Sequence, residues 1–239
     1  MRSSLSMVVC ALLAGCAGCG DDGGAVDASI VVDIDNGSCG DQLRFTGEYV
    51  DWDTDAAFCG IGDATVEVEG DGAMDTTAPN GRFDLCIPRT SATTRLVVTQ
   101  PSGMSPCANP ASSYTVPVIL HAQRDVVLAG GFFSGRAFTM ARQASFYSAA
   151  GLTFDATKAH VFVHVNGTPR AVSLAAPHAA AQAISGTTWA PGDTGRNVFF
   201  PNVDVGSGTT MLTVAGGAIG TGSIPLVAGT ITNVSVLAP

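Results

Sequence analysis

The side chains that carry most protein chemistry are sparse in this 239-residue chain, and their spacing argues against catalysis. The four histidines are His121, His160, His164 and His178. His160 and His164 flank Val161, Phe162 and Val163, an apolar, β-branched run that reads as a strand. On a strand that spacing puts both rings on one face but about 13 Å apart, at ~3.3 Å per residue, too far for a shared metal ion. On a helix the same spacing would suit zinc. Asp51, Asp53 and Asp55 alternate like the opening of a calcium loop. The loop's sixth position, which needs Gly, is Ala56, and its last, which needs Glu, is Gly62. The three carboxylates are therefore a weak calcium candidate, with a solvated acidic loop as the simpler reading. No G-x-S-x-G elbow presents a nucleophile, and Gly206-Ser207-Gly208 reads as a turn. Neither a catalytic residue nor a cofactor is expected.

Cysteine is the more informative residue. Met1-Arg2-Ser3-Ser4 precedes an apolar run over residues 5–14, the layout of a secretory signal peptide. That run is about half the ~20 residues a spanning helix needs. Leu13-Ala14-Gly15-Cys16 resembles the lipobox of bacterial lipoproteins. The resemblance implies cleavage after Gly15, a diacylglyceryl group on the Cys16 thiol, and a fatty acid such as palmitate on its new amine. Two or three acyl chains anchor stably where one is marginal. Ala17 at the next position resembles the outer-membrane sorting pattern, so the expected location is the cell envelope, at the outer membrane or cell surface. Cys10 leaves with the signal, and Cys19 is left over in the tether. Cys39, Cys59, Cys86 and Cys107 remain, and in an oxidising compartment they predict two disulfides. Three pairings are open. Zinc is disfavoured because no two of these four have C-x-x-C spacing.

Charge excludes one class of partner. The net charge is −9, and Lys158 is the single lysine beside ten arginines, so nucleic acid is not an expected partner. Of the 20 Asp and Glu residues, 16 fall between Asp21 and Asp84. An acidic first half thus joins a near-neutral second half, which fits either two units or an ordinary solvated secreted surface.

The elements that must position these residues are short alternating runs set off by Gly, Pro, Asn and Asp. Residues 17–38 are Gly- and Asp-rich and read as a tether. Within it, residues 30–34 could add a strand. Strands are expected over 43–52, 64–69, 83–87, 94–100, 114–120 and 124–128, with Asn80-Gly81 as a hairpin turn. After Gly130-Gly131, residues 138–150 are the single helix candidate, with Gly151 placed to cap it. Strands resume at 161–165, 171–174, 197–200, 211–214, 223–227 and 230–237. The expected organisation is a signal peptide over 1–15, a lipidated tether over 16–38, and β-sandwiches over 39–129 and 130–239. The fold class is all-β: two tandem Greek-key sandwiches of prealbumin or Ig-like type.

Gly62-Asp63-Ala64-Thr65-Val66-Glu67-Val68, Thr76-Thr77, Asn80-Gly81-Arg82-Phe83 and the strand over 94–100 resemble carboxypeptidase regulatory-like domains. These are transthyretin-like sandwiches, and residues 159–238 resemble the same superfamily more loosely. The shared positions are structural, so the resemblance implies a fold and a mostly non-catalytic role and assigns no site residue. Sugar binding would need an aromatic platform. Trp189, in a Gly-, Pro- and Thr-rich stretch, and Trp52 are the candidates, with core packing the simpler role for both. The leading expectation is a lipid-anchored structural or interaction protein whose partners are the membrane and an envelope protein or glycan. The alternatives are a carbohydrate-binding module and a secreted hydrolase of unrecognised type.

Overall fold

The computed structural model describes residues 39–52, 59–103, 112–114, 116–185 and 188–239. In chain order the elements are β1 (Leu43–Asp51), β2 (Thr65–Val68), β3 (Met74–Thr76), β4 (Arg82–Ile87), β5 (Thr93–Thr99), β6 (Val118–Gln123), α1 (Arg124–Leu128) and β7 (Phe133–Ala137). There follow α2 (Met140–Ala149), β8 (Ala159–Gly167), β9 (Arg170–Leu174), β10 (Gln182–Ser185), β11 (Thr188–Pro191) and β12 (Thr194–Gly195). The last four are β13 (Asn197–Val203), β14 (Thr209–Val214), β15 (Gly222–Pro225) and β16 (Ile231–Ala238). The chain is an all-β sandwich protein, as its alternation implies.

Side-chain alternation explains the outer strands. In β4, Phe83, Leu85 and Ile87 are buried while Arg82 and Asp84 face water. In β14, Leu212 and Val214 are buried between exposed threonines and Met211. β8 and β16 differ, being buried along almost their whole length. A strand covered on both faces is the middle of a stack.

That middle layer is a nine-stranded sheet in the order β11-β10-β13-β8-β16-β6-β5-β2-β3. On one face Val66, Val68, Leu96, Leu120, Phe162 and Phe199 pack against the three-stranded sheet β4-β1-β7 and against α2. On the other face Val161, Val163, Val165, Val198 and Phe200 pack against the four-stranded sheet β12-β9-β14-β15. Two sandwiches are therefore present, and they share one sheet. Pairing runs across residues 129–130 twice: β7 lies parallel to β1, and β16 lies parallel to both β6 and β8.

Two local expectations need correction. Residues 124–128 form helix α1, not a strand, because Val126 and Val127 are consecutive buried residues, which a one-faced strand cannot supply. This helix turns the chain so that β7 can return beside β1. Asn80-Gly81 makes a tight turn, but β3 and β4 on either side of it belong to different sheets, so it is not a hairpin. Gly81 has φ +78°, and a Cβ there would lie 2.1 Å from the Tyr49 carbonyl oxygen, so no larger residue fits this link between layers.

Candidate functional site

Trp52, Trp189, His160 and the Cys39–Cys86 disulfide fall on the aromatic side of the middle sheet. Trp52, just past β1, is wholly buried. Its ring stacks on Phe138 at 3.9 Å and on Trp189 at 5.0 Å, and it meets Phe146, Phe162 and Phe199 edge-on. This corrects Trp52 as a ligand-binding candidate: it offers a ligand no surface and instead supports the rings around it.

Trp189 is half-buried. It lies on β11, the edge strand of the nine-stranded sheet, opposite Ile184 of β10. The antiparallel pairing of β10 with β11 holds the indole over Trp52. Across from it runs α2. Thr139 caps that helix by accepting the Arg142 N–H at 3.2 Å, and Gly151, at φ +68°, follows its end. Phe146 and Tyr147 are the buried face of α2. Between helix and hairpin is a cleft of about 290 Å³ lined by Arg142, Phe146, Ala149, Gln182, Trp189 and Pro191, among others.

The histidines hold structure together. His160 is wholly buried and stacks on Phe154 at 4.4 Å. Its Nδ1 accepts the main-chain N–H of Asn202 at 3.2 Å and lies 2.7 Å from Tyr147 Oη. A main-chain N–H can only donate, so Nδ1 is bare, Tyr147 donates to it, and the proton sits on Nε2. Burial lowers the His160 pKa to about 4 and pushes the Tyr147 phenol up. His121 is buried as well, and burial alone brings it down to about 4. His164 Nδ1 is 2.7 Å from Asn197 Oδ1. Among the described residues no group of three His, Cys, Asp or Glu is placed to hold a metal. Asp51 is buried at the end of β1, and Asp53 and Asp55 lie outside the described residues.

Ser173, His178 and Asp193 line an open groove of about 450 Å³ beside β9. His178 Nδ1 is hydrogen-bonded to the Ala179 carbonyl, and the Asp193 carboxylate accepts the Thr194 hydroxyl. The carboxylate therefore does not orient the imidazole through Nδ1 as a nucleophile-activating triad requires.

Cys39 and Cys86 form a disulfide that ties the approach to β1 to its neighbour β4. With a sequence separation of 47, such a crosslink removes about 4 kcal/mol of loop entropy from the unfolded chain. Cys59 is disulfide-bonded as well. Cys16, Cys19 and Cys107 lie outside the described residues.

Sequence reasoning missed the asparagines that finish β7. Asn166 accepts the Phe132 N–H at 3.1 Å and donates to the Phe132 carbonyl at 3.0 Å. Asn233 accepts the Arg136 N–H at 2.9 Å. Side-chain amides thus satisfy main-chain groups along an edge strand. Their signal in the sequence was polar residues at inward positions of otherwise apolar strands.

No family model matches the chain, and no curated protein matches it. Among solved structures, the major pilin protein (T-13) of Streptococcus pyogenes resembles it at 6% identity and a TM-score of 0.19, over 81% of this chain and 95% of that one. A likeness of that size carries no argument, so the fold rests on the strands and their pairing.

Proposed function

We propose that this chain is a lipid-anchored envelope protein with a non-catalytic structural or interaction role, displayed at the outer membrane or cell surface. In this reading residues 1–15 direct export, Cys16 carries the lipid, and residues 16–38 are the tether. The sandwiches are relatives of carboxypeptidase regulatory-like domains. The observation that carries the anchor is Leu13-Ala14-Gly15-Cys16 placed directly behind a short apolar run. Support for a non-catalytic role comes from His160 and Tyr147, buried side chains that hydrogen-bond each other and, through His160 Nδ1, the main-chain N–H of Asn202 in β13. Among the described residues no helix is long and apolar enough to cross a membrane.

Intact mass of the membrane-extracted protein, before and after reduction, tests the anchor and the disulfides together. The expected species begins at Cys16, carries two or three acyl chains, and gains four hydrogens on reduction. Cys16→Ser is expected to leave the chain unlipidated and extractable without detergent. An unacylated mature N-terminus elsewhere would contradict the proposal.

A further inference from the structure

We infer that the cleft between α2 and the β10–β11 hairpin binds one pyranose ring of a neutral glycan, stacked on Trp189. This deepens the interaction role proposed above and rests on that reading. The platform is prebuilt. Trp52 lies under one side of the Trp189 indole at 5.0 Å and 18°, and Phe146 meets it edge-on at 5.7 Å. No second ring stacks parallel on Trp189 among the described residues, and the half-buried side chain lines the cleft. A rigid indole with an apolar face and one N–H suits the C–H face of a sugar, which is apolar at its centre and polar at its rim.

The cleft wall supplies the polar half. Gln182 lines it and is only 2% exposed. Its Nε2 donates to the Ala180 carbonyl at 3.1 Å. Its amide oxygen is an acceptor that a sugar hydroxyl can donate to. Thr188 at the rim adds a hydroxyl that can donate or accept.

Size and charge narrow the ligand. About 290 Å³ lies at the small end of ligand sites, which run from roughly 300 to 1,000 Å³, and suits one ring better than a long segment. The Arg142 guanidinium lies 5.8 Å over Phe146 and donates to Ser145 Oγ. It is engaged in the helix surface, so the site is not built around a waiting carboxylate, which favours a neutral sugar over an acidic one.

The test titrates the full-length chain, in a non-glycosidic detergent, with neutral oligosaccharides of glucose, galactose, mannose and N-acetylglucosamine. The readout is tryptophan emission, because Trp52 and Trp189 are the only two tryptophans and stack on each other. One of these sugars is expected to shift the emission saturably. Trp189→Ala should weaken binding roughly tenfold, the scale of one lost stacking contact, while Trp189→Phe keeps most of it. Ala149→Trp, an exposed helix position on the cleft wall, should block binding without altering the melting temperature, which guards against a Trp189 variant that fails to fold. No response from any of the four sugars overturns the inference, as does binding that survives Ala149→Trp. Binding confined to an apolar dye overturns it too. Each of these results leaves the mass measurement of the anchor unaffected, so the two readings fail separately.

Discussion

The two faces of the middle sheet bury their side chains in different ways. The face toward β4-β1-β7 and α2 is aromatic, with Phe45, Tyr49, Trp52, Phe138, Phe146 and Phe199 in one buried cluster. It also holds the described disulfide, the His160–Tyr147 pair and the cleft. The face toward β12-β9-β14-β15 is aliphatic, built mainly of Val, Leu and Ala with Phe200 its one aromatic ring. Valines on paired strands close a core without specific partners, whereas large rings leave gaps at their margins, and the cleft is such a gap. The side able to recognise something is therefore the aromatic one, and the aliphatic side is scaffold.

The sharpest break in this comparison is Trp52→Ala. It removes a ring that touches five others, and the expected loss is about 4 kcal/mol in urea unfolding. A loss near 1 kcal/mol would mean that the rings are loosely packed.

Acid gives the next largest effect. His160 and His121 hold folded pKa values near 4 against an ordinary 6.5. Above pH 6.5 both states are neutral and nothing is lost. As pH falls from 6.5 toward 4, the unfolded chain binds protons that the folded chain refuses, so stability drops by roughly 3 kcal/mol per histidine and then levels. Asp155, held low by Thr157, acts in the same direction as pH falls further. Urea midpoints taken across this range should fall, and His121→Leu should remove about half of the slope. A flat profile would show that neither ring is buried as neutral imidazole.

Much of this fold is legible in the sequence, and the gaps have physical causes. β2, β4 and β14 each have one wet face, so Val66-Glu67-Val68 or Phe83-Asp84-Leu85 announces a strand by alternation alone. β7 reads Phe-Ser-Gly-Arg-Ala, and its partners β1 and the asparagines at 166 and 233 are distant in sequence, so nothing local marks it. The shared sheet was hidden for a related reason. Val161, Val163 and Val165 look like one face of an ordinary strand, but Phe162 fills a second core behind them, and parallel pairing with β16 joins segments about 70 residues apart. Trp189 was a candidate for its aromatic ring alone, and in the structure it lines the cleft; Gln182, the residue that gives the cleft polarity, has no sequence signal. Trp52 could be placed only once its five neighbouring rings were in view.

The central claim is that one sheet serves both cores, and a substitution in the aliphatic core read from the aromatic one tests it most directly. Val163→Ala should cost about 2 kcal/mol. Because both tryptophans lie on the opposite face, their fluorescence should report that cost in full, with a urea midpoint lowered as far as the midpoint from far-UV circular dichroism. A fluorescence transition left in place while the dichroism splits into two steps would show two independent sandwiches and contradict the account.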